Sequence, residues 1–193
     1  MSAKPKRVLI AEDNPMSRKC LTAHMELLGY EVAAVSNGRA AVEKVREFRP
    51  DLAIFDVMMP EMDGIDAAKA VSAISPLPVI LVSGHSSEDL AARAIDAGVF
   101  AYLMKPVSRK HLLPAVELAF SRYHQFEDLR EEVGDLKEAI ETRKLVERAK
   151  GILMKRCKID EEDAFKLLQV QSQKENKKMK YVAEMVISAS KLI

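Results

Sequence analysis

Short apolar runs alternate with longer amphipathic segments along the first 123 residues. The runs are rich in Val, Ile, Leu, Phe and Ala, a pattern typical of strands that are buried on both faces. They are Val8–Ala11, Glu31–Val35, Leu52–Phe55, Val79–Val82 and Phe100–Leu103. The segments between them show helical spacing of apolar residues and end at Pro or Gly. Five strands alternating with five helices predict a doubly wound α/β fold, a five-stranded parallel sheet with right-handed crossovers.

Residues with capping preferences mark where these helices begin. Asn14-Pro15 places a cap residue before a proline at the first helical position, and Ser86 or Ser87 precedes the fourth helix. The fifth helix begins after Ser108 and contains Pro114 beyond its first turn, so we expect a kink there.

The pattern changes beyond residue 123. Apolar residues at Phe126, Leu129, Val133, Leu136 and Ile140 are three or four apart, which predicts a helical linker over 124–142. Its apolar stripe fits either a short coiled coil between two chains or a seam inside one bundle. Residues 143–193 then predict a small all-α domain of three helices. Gly151 lies inside the first of them, and we expect it to admit a neighbouring helix.

Composition and charge limit the classes of protein to consider but do not identify the function. The chain has 193 residues, 48% hydrophobic and 31% charged, which fits a globular protein of one large or two small domains. Its net charge of +1 does not indicate nucleic acid or membrane binding as a whole. No apolar run has the length of a membrane span, no signal-peptide core follows the N-terminus, and Cys20 and Cys157 lack metal or redox spacing. We therefore expect a cytoplasmic protein that does not contact membranes.

Polar residues directly follow four of the predicted strands. They are Glu12-Asp13, Asp56, Ser83 and Lys105, and the fold would bring them to one edge of the sheet. Asp56 alone would most simply cap a loop. Three neighbouring carboxylates, however, repel one another unless a cation lies among them, and Mg²⁺ with oxygen ligands suits such a site. With Lys105 and Ser83 added, the group predicts a cradle for a phosphoryl group on Asp56, which would attack in line.

These residues resemble the receiver domain of two-component response regulators over residues 6–123. The resemblance rests on Glu12-Asp13, the FDVMMPEMDG stretch around Asp56, Ser83, and Lys105-Pro106, with Tyr102 three residues earlier. It implies a flavodoxin-like fold and phosphoryl transfer to Asp56 from a sensor histidine kinase. It further implies Mg²⁺ held by Glu12, Asp13, Asp56 and the Met58 backbone carbonyl, and reorientation of Ser83 and Tyr102 on phosphorylation. His85 lies at a position where a solvent-facing loop histidine and a tuning role in dephosphorylation are both open.

A phosphatase or phosphotransferase with an aspartate nucleophile is the rival class. Such enzymes usually carry a second acid two residues beyond the nucleophile, and here that residue is Met58. Without a general acid to protonate the leaving group, turnover of phosphoesters is not expected. We therefore expect a phosphoacceptor that dephosphorylates itself slowly, not an enzyme.

Charge separates sharply in the last seventy residues. Residues 127–141 carry seven acidic and two basic residues, a local net charge of −5, whereas residues 143–158 carry +6. A second basic cluster follows at Lys174, Lys177, Lys178 and Lys180. Each cluster by itself is typical of a solvated face, but two clusters in one small helical domain favour a phosphate-binding surface.

This half resembles the ANTAR domain, an RNA-binding output module, over about residues 124–190. The matching residues are ERAKGILM (147–154), the IDEEDAF helix start (159–165), Asn176 and Val182-Ala183. The family binds paired stem-loops in nascent transcripts, usually as a dimer, and prevents a terminator from forming. By position, the candidate RNA contacts are Arg143, Arg148, Lys150, Lys155, Arg156 and Lys177. Gln169 stands where the family often has arginine. Because Phe165 is expected in the core, phosphate contacts should outweigh base stacking.

The leading hypothesis is a response regulator whose phosphorylation at Asp56 favours a homodimer that binds RNA and acts in transcription antitermination. Two alternatives remain open. A DNA-binding regulator with the same receiver would need a recognition helix for the major groove. A protein-interaction adaptor would use the helical domain to bind a partner, with its basic faces merely solvated.

Overall fold

The computed structural model describes residues 5–85 and 87–190, and the chain divides into two compact units, Met1–Glu127 and Asp128–Ile193. The first unit contains a parallel five-stranded sheet in the order β2-β1-β3-β4-β5. Its strands are β1 (Arg7–Ala11), β2 (Glu31–Val35), β3 (Leu52–Asp56), β4 (Val79–Ser83) and β5 (Ala101–Met104). The predicted fold class is therefore confirmed, with strand ends displaced by single residues.

The described residues of the two units contain seven helices. They are α1 (Pro15–Leu27), α2 (Gly38–Phe48), α3 (Gly64–Ile74), α4 (Glu88–Asp96), α5 (Arg109–Cys157), α6 (Glu161–Glu175) and α7 (Met179–Ser190). Asn14 caps α1, accepting hydrogen bonds from the backbone N–H groups of Met16 and Ser17. Ser87 caps α4, while its alternative Ser86 lies outside the described residues. The helix α5 continues on both sides of Pro114.

The first unit has a core on each face of the sheet. One cluster packs β3 and β4 side chains such as Phe55 and Leu81 against α2, α3 and α4. The other packs Ile10, Ile54 and Ile80 against α1 and the beginning of α5. Every residue of β3 and β4 is buried, which explains why their sequences read as continuous apolar runs rather than as alternating ones. These two adjacent buried strands carry Asp56 and Ser83 to the carboxyl edge of the sheet.

The second unit is helical. It comprises the part of α5 beyond Glu127 together with α6 and α7, and its core contains Val146, Ala149, Leu168, Val182, Ala183 and Ile187. The linker and the first predicted helix of the small domain are one uninterrupted stretch of α5. Asp160 caps α6 by accepting a hydrogen bond from the Asp163 N–H at 2.8 Å. None of the helices in the described ranges has the length and apolar character that a bilayer crossing requires.

Candidate functional site

Three carboxylates meet at the carboxyl edge of the sheet. Glu12 and Asp13 follow β1 and Asp56 ends β3, and each offers an oxygen within 4.8 Å of the others. Glu12 is fully buried and Asp56 is 4% exposed, whereas Asp13 is exposed. The three acids predicted to share a site are therefore brought together, with one side open to solvent. Such a group of oxygen donors could hold a hard divalent cation.

Lys105 reaches into the same site from the end of β5. Its Nζ lies 2.8 Å from Asp56 Oδ2 and 2.7 and 3.0 Å from the two Glu12 oxygens. The angles satisfy a hydrogen bond only at Glu12 Oε1, so Oε2 has no hydrogen-bond partner among the described residues although it is buried. The Lys105 ammonium group 2.7 Å away balances the charge of this buried oxygen but leaves its hydrogen-bonding capacity unfilled, and a metal ion or water would complete it. The acids present thus fit a metal ion beside Lys105.

The protonation behaviour of the site reflects burial and close opposite charges. Burial raises the pKa of Glu12 above its ordinary value, with a smaller contribution from Asp56, and the hydrogen bond from Lys105 opposes the rise. Burial by itself would lower the pKa of Lys105, but its hydrogen bonds to Asp56 and Glu12 outweigh that effect and raise it. Lys105 is therefore a firmly protonated ammonium group against Asp56.

The β4–α4 loop connects Ser83 with Tyr102. The buried Ser83 hydroxyl donates to the backbone carbonyl of His85 at 2.7 Å, and the Tyr102 hydroxyl donates to the same carbonyl oxygen at 3.0 Å. The two predicted switch residues thus share one acceptor. Sequence reasoning considered only the His85 side chain, and no sequence signal pointed to its backbone carbonyl.

The loop after Asp56 is held by tight backbone packing. The Met58 N–H donates to Asp56 Oδ1 at 3.4 Å, while the Met58 side chain is 60% exposed. A Cβ atom at Gly64 would collide with the backbone carbonyl of Asp56, so this position requires glycine. Asp63 caps α3 and also accepts a hydrogen bond from Arg93 at 2.6 Å, which ties the loop to α4. Gly64 therefore allows the beginning of α3 to lie directly against the end of β3.

In the second unit, Lys150 differs from the other predicted RNA contacts. It is 7% exposed, and its Nζ lies 2.8 Å from a Glu147 carboxylate oxygen and 2.7 Å from one of Glu161. These hydrogen bonds raise the pKa of Lys150, so its charge is retained and neutralised by two acids. The arrangement indicates a cation that connects α5 to α6, because an RNA phosphate would have to displace both carboxylates.

Two other predicted contacts already have partners. Arg156 donates to the backbone carbonyl of Ser190 at 3.0 Å, and Lys177 forms an ion pair with Glu175 at 2.9 Å. Arg143 is exposed and lines a groove together with Phe165 and other side chains. Two further lysines of the second basic cluster are similarly compensated, since Lys178 pairs with Glu138 and Lys180 with Glu141.

Arg143, Arg148 and Lys155 are the predicted contacts that are exposed and have no ion pair among the described residues. Lys144 shares this property, although the resemblance did not single it out. Lys144, Arg148, Gly151 and Lys155 are spaced by four, three and four residues, so they share one face of α5. We call this set the basic face. The core residues Val146 and Ala149 lie on the other side of the helix.

Two expectations for this unit are wrong. Phe165 is 41% exposed, so the core does not require it, and Tyr181 is 55% exposed. Two aromatic rings are thus available on the surface where base stacking was not expected. No helix of the described part of the chain approaches Gly151, because a Cβ there would meet nothing within 4 Å beyond its own helix backbone.

The fold and the acid–lysine site define the first unit as a receiver. The profile of the response regulator receiver domain matches residues 8–117, and that of the ANTAR domain matches residues 134–187. The chain therefore belongs to the response regulators that combine a receiver domain with an ANTAR domain.

Individual relatives agree with this assignment. The chain is 45% identical to the transcriptional regulatory protein PdtaR of Mycobacterium tuberculosis over 96% of its own length and 91% of that protein. It is 39% identical to the chemotaxis protein CheY of Thermotoga maritima over 58% of its length and 94% of that protein. Among solved structures, the receiver domain of a modulated diguanylate cyclase from Desulfovibrio desulfuricans G20 is 32% identical, with a TM-score of 0.59, covering 63% of this chain and 98% of that one.

Proposed function

We propose that this protein accepts a phosphoryl group on Asp56 from a sensor histidine kinase. The observation that carries the proposal is the Lys105 ammonium group held 2.8 Å from Asp56 within a cluster of three acids. Mg²⁺ held by Glu12, Asp13 and Asp56, with the Met58 carbonyl that the family implies, would neutralise charge on the phosphoryl oxygens. The Asp56 carboxylate forms the new P–O bond as the P–N bond of the donor phosphohistidine breaks, and the imidazole leaves with that electron pair. Lys105 stabilises the developing charge.

Phosphorylation would act on the hydrogen bonds of the β4–α4 loop. An acyl phosphate adds about −1.5 to −2 charges at one point. Ser83, at the end of the adjacent strand β4, is the hydroxyl donor next to Asp56 in the sheet. If it turns towards the phosphoryl group, it leaves the His85 carbonyl, to which Tyr102 also donates. The charge at Asp56 is thereby coupled to the position of Tyr102.

The output that we propose is binding of RNA stem-loops in nascent transcripts, leading to antitermination in the cytoplasm. The basic face supports it, since its three cations are exposed and unpaired within the described ranges. Phosphate oxygens are the natural partners of such a face, and binding through them weakens steeply with salt.

A homodimer would present two such modules together. Leu129, Val133, Leu136 and Ile140 are 41 to 59% exposed, so the described part of the second unit does not bury this stripe as an internal seam. That exposure favours the coiled-coil interpretation over the seam. We propose that phosphorylation shifts the protein towards this dimer.

The test is RNA binding by wild type and Asp56→Asn, with a two-hairpin transcript and a duplex DNA control. Both proteins are measured with and without a small phosphodonor plus Mg²⁺, at two salt concentrations. We expect salt-sensitive RNA binding that the phosphodonor strengthens only in wild type. Equal RNA binding with and without the phosphodonor would show that phosphorylation of Asp56 does not control RNA binding. Preference for the DNA duplex would favour a DNA-binding regulator. Absence of nucleic-acid binding would leave the adaptor hypothesis.

A further inference from the structure

No contact among the described residues explains why residue 151 is a glycine. Glycine in a helix interior is less favourable than alanine, because its backbone loses more conformational freedom on folding. Gly151 lies well inside α5, and its φ is not among the positive values that favour glycine. A Cβ atom there would meet no atom within 4 Å beyond its own helix backbone. Alanine would therefore fit, and the fold alone would favour it.

The surroundings of Gly151 are cationic. Arg148 lies three residues before it, Lys155 four after it and Lys144 one further turn towards the N-terminus, all on the basic face. The acid nearest in helical spacing is Glu147, which lies 2.8 Å from the buried Lys150. Lys150 thus neutralises the negative charge that would otherwise oppose a phosphate at this point. The result is a section of helix backbone without a side chain at residue 151, flanked by cations.

We propose that the sugar–phosphate backbone of the bound RNA crosses α5 at Gly151, in direct contact with the helix backbone. The proposal rests on the RNA binding proposed above and adds the point of closest approach. Glycine is the residue that lets another backbone come nearest, because it has no side chain. Arg148 and Lys155 then flank the phosphates, and their attraction is strongest when the separation is short. A methyl group at residue 151 holds the RNA away from both.

The experiment compares Gly151→Ala with a matched control, Gly134→Ala, in the full-length protein. Gly134 also lies in α5, where an added Cβ atom would meet nothing within 4 Å, and the basic face does not include it. Both substitutions are expected to raise the melting temperature, by roughly 2–4 °C, because alanine is the better helix former. Only Gly151→Ala should weaken binding of the two-hairpin RNA, by about fivefold to tenfold. Gly151→Leu should bind more weakly than Gly151→Ala.

The outcomes separate this inference from the proposed function. If wild type does not bind the RNA, the RNA-binding proposal fails by itself. If wild type binds and Gly151→Ala binds as tightly as Gly134→Ala, the close approach is refuted although RNA binding stands. If Gly151→Ala instead alters sedimentation of the RNA-free protein, a second copy covers this face and the inference is overturned.

Discussion

The two units differ in whether their functional charges are buried and paired or exposed and unpaired. In the receiver, Glu12 and Asp56 are buried and Lys105 contacts both, so the site is a preorganised set of charges in a partly dry environment. In the ANTAR domain, Lys144, Arg148 and Lys155 are exposed and have no ion-pair partner among the described residues. The first arrangement suits a small anion placed with atomic accuracy. The second suits an extended polyanion that is bound through many weak contacts.

The comparison also shows which features determine each site. In the receiver, backbone packing positions Asp56, because the glycine that begins α3 lies against the Asp56 carbonyl. In the ANTAR domain, helix periodicity and local ion pairs decide which cations face solvent. Substitutions that alter backbone packing should therefore reduce the stability and phosphorylation of the receiver most. Substitutions of single charged residues should have smaller effects on the second unit.

The largest effect is expected for Gly64→Ala. The added methyl group collides with the Asp56 backbone, and forced overpacking of this kind costs about 3 kcal/mol. We expect loss of that stability in urea unfolding, together with loss of phosphorylation by a small phosphodonor. Gly84→Ala is the matched control, since a Cβ there meets nothing within 4 Å and should change stability little. Equal stability of the two variants would show that the loop can move aside.

A pair of lysine variants tests the second unit. Lys155→Gln removes an exposed cation and should lower the slope of log affinity against log salt by about 0.7 to 0.9, the change for one lost phosphate contact. Lys150→Gln removes the ion pairs with Glu147 and Glu161 and should lower the melting temperature without changing that slope. Salt titrations of RNA binding and thermal unfolding of both variants check this. A reduced slope of log affinity against log salt for Lys150→Gln would show that Lys150 does contact RNA phosphates.

The residues that meet at the receiver site could be predicted from the sequence better than the exposed cations of the ANTAR domain, and the reason is physical. A parallel sheet brings the ends of buried strands to one edge, so Glu12, Asp56 and Lys105 could be placed together from strand order. On helices, exposure depends on side-chain partners that are distant in sequence. Lys150 and Glu161 illustrate this, because their contact requires knowing how α5 packs on α6. The sharing of the His85 carbonyl by Ser83 and Tyr102 could not be predicted either, since it depends on the path of a loop.

A smaller effect is expected for Asp160→Ala. Asp160 accepts a hydrogen bond from the Asp163 N–H at the start of α6, and loss of an N-cap costs about 1 kcal/mol. Asp160→Asn keeps an acceptor oxygen and should retain most of that stability. Urea unfolding of the three proteins measures the difference. If alanine and asparagine are equally destabilising, the charge of Asp160 matters more than the cap.

The smallest effect is expected for the ion pair between Asp63 and Arg93. Burial would raise the pKa of Asp63, but hydrogen bonds from the Asp66 N–H and Arg93 outweigh it and hold the pKa below the ordinary value of 3.8. Because the folded pKa is the lower one, the unfolded chain binds more protons in acid. The stabilisation is therefore complete above the ordinary pKa and is lost as pH falls through the folded value.

Arg93→Ala should destabilise the protein only slightly at neutral pH, since both partners are partly exposed and solvent screens the pair. It should also raise the pKa of Asp63 towards its ordinary value, so that stability declines from a higher pH. Carboxyl chemical shifts followed by NMR, with Arg93→Lys as the control that keeps a cation, measure this. If the pKa of Asp63 is unchanged in Arg93→Ala, the hydrogen bond of the helix cap lowers it. The ion pair between Asp63 and Arg93 would then not contribute to stability.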